Sequence, residues 1–401
     1  MPPPSSPFSL ALWSFSSRWF LIPQGSGIIA LILHQLDYQF PGLHILAKIV
    51  WIYTIVQLGL CLLFYLLRVC LYPKHVVYEL RNSTQETSCL ASFVISFTSI
   101  IQMVTVQYGH HDGLAAYVLW WVNAAMAVAA LLGIPYVQLK LQPPGIQNVP
   151  PAVLLPYIAA LTSGAAGGVI CQYGDISARL QVPVIIVSYL EVGAGIAAAI
   201  SVYSIVFSKH YNRSVPTQDL VYQDMILCGP FGQGSFALQS LGGATMKSFG
   251  QYNRGVFLTA AAGTTIGYVS MFAGLLAWGY GTFWWGFAII SIFQTLLGQE
   301  GGWRSIRYSL SVWGLIFPWV SLSLYWSVHL HSALINAPGC IYQRGRPIRE
   351  NHGLAGFQGL VDCASSHAFS LVVHESDLHS QGNYHGQVAG FGPWLELEVP
   401  A

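Results

Sequence analysis

Charge is what this chain lacks. Of its 401 residues only 16 are Lys or Arg and 15 Asp or Glu, 8% together, against roughly 25% in an average soluble domain. A water-soluble globular fold is thereby excluded. With 54% hydrophobic residues and a mean hydropathy of +0.54, the chain carries more apolar surface than one core of this size can hide, so lipid covers the rest. The signs nearly cancel to a net +1, which leaves no basic field for nucleic acid and no acidic tail. Paired cysteine motifs are missing as well. Cys61, Cys70, Cys89, Cys171, Cys228, Cys340 and Cys363 are scattered without a CxxC, and neither a disulfide framework nor a zinc site is expected. The opening MPPPSSPFSLALWSFSSR has no basic stretch ahead of a compact apolar run, so no cleaved signal peptide is expected.

Long apolar runs are what the chain has. A bilayer core of about 30 Å needs about 20 apolar residues per helix, and nine runs meet that measure: Trp19–Leu36, Ala47–Leu71, Ser88–Tyr108, Leu114–Leu139, Ala152–Cys171, Pro183–Phe207, Tyr222–Leu241, Val256–Ile290 and Ser309–Leu330. The eighth is long enough to be an interfacial piece followed by a span from near Gly267, and is counted once. The class is therefore an all-α polytopic membrane protein. With the N-terminus in the cytoplasm, the inner loops hold nine Lys or Arg (Arg18, Arg68, Lys74, Arg81, Lys140, Lys209, Arg213, Arg304, Arg307) and the outer loops four (Lys48, Arg179, Lys247, Arg254). That orientation follows the retention of basic loops on the cytoplasmic side. It places the sequons at Asn82 and Asn212 inside, where they read as chance matches.

Proline and glycine punctuate alternate spans. Pro23 falls in the first, Pro156 in the fifth, Pro230 in the seventh and Pro318 in the ninth, whereas the second and eighth have none and Pro135 and Pro183 mark span ends. Gly25 and Gly27, Gly164, Gly167 and Gly168, Gly229, Gly232 and Gly234, and Gly314 follow the same odd-numbered rule, although the third span lacks a proline. Proline in a membrane helix frees a carbonyl and is tolerated where protein or a water-filled cavity satisfies it. The pattern predicts helical hairpins around a central pore, with kinked odd-numbered helices inside. Pro23, Gly25, Gly27, Pro156, Gly229, Pro230, Gln233 and Pro318 are the candidate pore-lining or kink residues, with close helix packing as the competing use of the glycines.

No span carries Lys or Arg near its middle, which points to weak passage of anions over backbone N–H groups and helix dipoles rather than to tight binding. Glu191 is the one central acid, with a proton relay, a structural hydrogen bond or a subunit contact as its candidate roles. His34, His329 and His331 lie towards span ends and His110 and His111 between spans, so no nucleophile, base or ligand set faces another. Enzymatic chemistry, a metal and a cofactor are not expected. Three regions follow: a cytoplasmic segment 1–17, a transmembrane transporter domain 18–334, and a polar tail 335–401, whose His352, His367, His374, His379 and His385 match no ligand spacing.

The segments SRWFLIPQGSGIIALILHQL, GPFGQGSFALQSLGG, GLLAWGYGTFWWGFAI and WGLIFPW together resemble the tellurite-resistance/dicarboxylate transporter family. That family includes plant slow anion channels, the yeast malate permease and fungal sulfite efflux pumps, and the wording is most similar to the fungal members. Over residues 15–330 the resemblance implies ten helices in five hairpins, a homotrimer in the plasma membrane, and a pore through each subunit. It implies transport of a small anion, a C4-dicarboxylate such as malate or sulfite, with export of a carboxylate-bearing metabolite or an inactive product as alternatives. A ninth-helix phenylalanine gates the family's pore, and Phe317 is the matching position, with Leu315 as rival and a packed aromatic as the plainer role. A tenth helix is expected, but this sequence turns polar instead.

Overall fold

The computed structural model describes residues 4–36, 40–145, 149–212, 218–297 and 310–318, all within one compact unit, Met1–Gly339. The tail 335–401 and most of the ninth predicted span lie outside the described residues. Ten helices are named here in chain order: α1 (Pro7–Trp13), α2 (Leu21–Gln35), α3 (Leu43–Leu71), α4 (Pro73–Asn82), α5 (Thr84–Cys89), α6 (Ala91–Lys140), α7 (Leu155–Tyr173), α8 (Ala178–Tyr211), α9 (Gly229–Tyr252) and α10 (Ala260–Leu297). A short helix over 313–318 follows. Local signals set several ends. The Ser83 hydroxyl accepts from the Glu86 amide at the start of α5, Gly42 at φ 96° turns the chain into α3, and Asn253 at φ 43° closes α9.

The 50 residues of α6 are helical throughout, yet they do not form one rod. Thr98 Oγ1 donates to Asn123 Oδ1 at 3.1 Å, although 25 residues of straight helix would hold them about 37 Å apart. The chain therefore reverses at 109–113, where Gly109 and Gly113 sit against the backbone of Tyr173 and Asp175. Two spans result, Thr84–Gly109 and Gly113–Lys140, as the sequence predicts, with helical hydrogen bonding carried through the turn in place of the expected loop. The side chains of His110 and His111 lie outside the described residues.

Among the described residues six helices are long and apolar enough to cross a membrane, where the sequence predicts nine spans over the whole chain. α2 has only 15 residues, about 22 Å of helix. α9 begins at Gly229, later than the predicted Tyr222, and runs on to Tyr252. It is rich in Gly, Ser and Gln because neighbouring helices and not lipid surround it. The eighth span is a single helix from Ala260, with no separate interfacial piece. Burial alternates along the chain. The apolar window of α7 is wholly buried and that of Thr84–Gly109 is 67% buried, against 17% for α3, 28% for Gly113–Lys140, 39% for α8 and 28% for α10. Odd-numbered spans thus form an inner layer and even-numbered ones an outer jacket.

The prolines act at helix starts. A 3-10 segment leads into each of four inner helices: Ser17–Phe20 into α2, Pro151–Leu154 into α7, Gln218–Cys228 into α9, and Leu310–Val312 into the helix over 313–318. Pro156 and Pro230 occupy the first turn of α7 and α9, and Pro23 is the third residue of α2. The expected mid-helix kinks at these three positions are thereby corrected. First-turn amides have no intrahelical partner, so proline costs nothing there, and the backbone breaks at the 3-10 junction just ahead of it. The two prolines expected at span ends, Pro135 and Pro183, lie inside α6 and α8.

Candidate functional site

The inner segments close into a ring. A Cβ on Gly27 of α2 would lie 2.9 Å from the Ser99 side chain in the first arm of α6. Ile101 of that arm shares a core cluster with Leu161, Ala165 and Ala166 of α7. A Cβ on Gly168 of α7 would meet the Ser240 carbonyl carbon of α9 at 2.7 Å, one on Gly229 of α9 would reach Pro318, and one on Gly25 of α2 would lie 3.1 Å from Trp313. Such approaches need residues without a side chain.

Apart from Glu86, the polar side chains buried in this layer are neutral, among them Gln24 and Ser26 on α2, Ser96, Ser99 and Gln102 on α6, Thr162 and Ser163 on α7, and Gln233, Ser235, Gln239 and Ser240 on α9. Among the described residues four charged side chains are buried, namely Arg68, Glu86, Glu191 and Asp224.

Around Phe317 the predicted residues separate into two groups. Phe317 is 1% exposed and packs in one cluster with Leu21, Ile28, Ile158 and Phe231. Its rival Leu315 is only partly buried beside that cluster. Gly25, Gly229 and Pro318 converge on the same helix, because the Gly25 position faces Trp313 and Ile316 and the Gly229 position faces Ile158 and Pro318. Pro230 and Gln233 are buried in the first turns of α9. Gly27 turns away towards Ser99 and Thr54, and Pro23 and Pro156 open their helices. Glu191 stands apart on α8, facing the back of α7 through Ser163.

Two polar clusters at the end where the inner helices begin were not foreseen from the sequence. Arg68 Nη1 of α3 pairs with Glu86 Oε1 of α5 at 2.8 Å, each side chain 3% exposed. Ser16 also donates to the Glu86 carboxylate, as does the Ser17 amide at 3.0 Å, and the Ser17 hydroxyl donates to the Glu86 carbonyl at 2.6 Å. The N-terminal segment is thus tied to both layers. Asp224, in the 3-10 segment ahead of α9, is 2% exposed. Burial pushes its carboxyl up to about 6 against the opposing pull of His210 and Lys209. Opposite charges 18 residues apart carry no periodic signal, which is why the Arg68–Glu86 pair is invisible in the sequence.

A ring of inner helices whose buried polar side chains are nearly all neutral, jacketed by long apolar helices and with Phe317 buried in its core, defines a polytopic membrane transport protein. The chain belongs to the voltage-dependent anion channel family, whose model matches residues 14–342. It is 28% identical over 309 residues to the sulfite efflux pump SSU1 of Arthroderma benhamiae, covering 76% of this chain and 80% of the relative. A malic acid transport protein of Schizosaccharomyces pombe is 22% identical over 328 residues, 79% of this chain and 70% of the relative.

Proposed function

We propose that residues 18–334 form a conduit for small anions, sulfite first and a malate-like C4-dicarboxylate second, closed at Phe317. The observation that carries this reading is the common direction of the inner segments. All begin at the end marked by Ser17, Glu86 and Asp224, joined there by the Ser17–Glu86 bonds and by the contact between Ile226 and the Gly314 position. Each helix N-terminus presents unpaired amides and about half a positive charge. Several converging on one mouth attract an anion without a buried Lys or Arg, whose desolvation would be costly and whose grip would slow release. The polar side chains buried along these helices are nearly all neutral hydroxyls and amides, which would let an anion pass without a tight grip. Phe317, buried in the core cluster that also holds Leu21, Ile28, Ile158 and Phe231, supplies an apolar constriction of the kind that gates by excluding water.

The greater similarity to a sulfite efflux pump than to a malic acid transport protein ranks the two substrates. The basic loops support an N-terminus in the cytoplasm, and the family resemblance supports a plasma-membrane homotrimer with a conduit in each subunit. The reading assigns no catalysis, because passage needs no bond to break. Flux of sulfite and of malate into sealed vesicles holding the full chain tests the reading. Phe317→Ala should raise sulfite flux severalfold. Correctly inserted protein that carries neither anion in either form would sink the proposal, and malate flux above sulfite flux would reverse the ranking.

A further inference from the structure

Glu191 sits midway along α8, 3% exposed, and neither carboxylate oxygen has a hydrogen-bond partner. Ser163 on α7 is the side chain that faces it, yet no bond of standard geometry joins them, and the hydroxyls of both Ser163 and Ser188 are likewise unpartnered. Ser188 lies three residues, nearly one turn, before Glu191 on the same helix face. The Trp120 indole N–H, which reaches this stretch of α7, is spent on the Ser163 carbonyl at 3.0 Å. Packing is tight as well. A Cβ on Gly164 would lie 2.7 Å from Val192 and 3.1 Å from the Ser188 carbonyl, and one on Gly167 would strike the Ser188 hydroxyl.

Among the described residues no cation offsets the carboxylate. α7 contains no Lys, Arg or His, and neither does the segment Pro151–Leu154 that also packs on α8. Lys247 of α9 donates to the Gln172 carbonyl at 3.0 Å, at the far end of α7. Arg179, Lys209 and His210 of α8 are 12 or more residues away, at least about 18 Å along the helix. The titratable groups nearest in sequence on the two helices, Tyr157 and Tyr189, are phenols, and Tyr189 bonds to Ser270 at 2.7 Å. An unpaired buried carboxylate is among the costliest groups a protein can hold, and neutralisation is its usual resolution. A proton removes the charge, which is the costlier part of the burial, and gives the carboxyl a donor in a cluster whose two serine hydroxyls are likewise unpartnered.

We propose that Glu191, with Ser163 and Ser188, is a proton-binding site directly behind the wall of the conduit, and that its proton sets the anion permeability of the path. The second half rests on the conduction reading above. Loss of the proton places a negative charge one helix spacing, about 8–10 Å, behind the inner wall. An anion in the path beyond that wall lies roughly 12 Å from the charge, and at an effective dielectric of about 20 its occupancy falls roughly tenfold.

Infrared spectroscopy of the purified protein reads the first half without any transport. Wild-type protein near neutral pH should show a protonated-carboxyl C=O band that is lost in Glu191→Gln and kept, at a changed frequency, in Glu191→Asp. Chloride flux in vesicles reads the second half, because chloride itself does not titrate. Wild-type flux should fall roughly tenfold at alkaline pH in step with the band, whereas Glu191→Gln should conduct equally across the range. A band unaffected by Glu191→Gln would overturn the site, and coincident flux profiles would overturn its control of permeability. A chain that carries no chloride at any pH but loses the band in Glu191→Gln fails the conduction reading while supporting the proton site.

Discussion

α7 and α3 are both apolar enough to cross a bilayer, yet one is wholly buried and the other is 17% buried. Their difference lies in side-chain size. α7 reads LPYIAALTSGAAGGVICQY, with three glycines and four alanines. α3 presents Ile45, Ile49, Ile52, Val56, Leu60 and Leu63 to its surroundings, all among the exposed large apolar side chains and spaced three or four apart. Between membrane helices there is no hydrophobic gain, because lipid is as apolar as leucine, so close backbone approach decides which helix goes inside. The glycines repeat the lesson. A Cβ on Gly164, Gly167 or Gly168 of α7 meets neighbours at once, whereas one on Gly59 of α3, Gly133 of α6, Gly193 of α8 or Gly279 and Gly286 of α10 meets nothing within 4 Å. Where the two layers join, the polar Arg68–Glu86 pair takes over from packing.

Breaking that junction should have the largest effect. Arg68→Ala leaves the Glu86 carboxylate buried with only Ser16 and Ser17 donating to it, and removing one partner of a buried pair costs about 3–5 kcal/mol. Thermal unfolding in mild detergent measures this, and a loss within the range of a surface ion pair, below about 1 kcal/mol, would show that water reaches the pair. Asp224 tests the same end of the molecule by pH. Its carboxyl, pushed up to about 6 from an ordinary value of 3.8, is destabilising in its charged form. The fold therefore carries a penalty above about pH 6 that is relieved as the pH falls towards 4, by at most roughly 2–3 kcal/mol. Asp224→Asn should be the more stable protein at pH 8 and match the wild type near pH 4. Parallel stability curves for the two would refute the assignment.

How far the sequence reaches is seen in the same layers. The odd–even alternation of small and large residues is legible because lipid and protein neighbours select different side-chain sizes. Two of the nine runs become helices less suited to lipid for the same reason: α2 is short and α9 polar, since protein surrounds them. Proline is legible as a break but not as a position. Pro156 and Pro230 look central in their apolar runs, yet the helices begin at Leu155 and Gly229, and only the preceding 3-10 segments, which leave no apolar period, reveal where the axis bends. The isolation of Glu191 is legible, but its pairing with Ser163 and Ser188 depends on the register between α7 and α8, which no single helix encodes.

The smallest effects sharpen the comparison most, because they oppose one another. Gly168→Ala places a methyl group 2.7 Å from the Ser240 carbonyl carbon and 2.8 Å from the Leu241 amide nitrogen. Backbone cannot swing aside as a flexible side chain does, so α7 and α9 must part, at a cost of about 1–3 kcal/mol. Gly193→Ala makes the identical chemical change on α8, where nothing lies within 4 Å. There the methyl group only restricts the unfolded chain, and a gain of about 0.5–1 kcal/mol is expected. Melting curves of the two variants in the same detergent should therefore move in opposite directions. If both fall, the outer face of α8 is covered by another surface such as a second copy of the chain, and the division into inner wall and lipid-facing jacket must be redrawn at that helix.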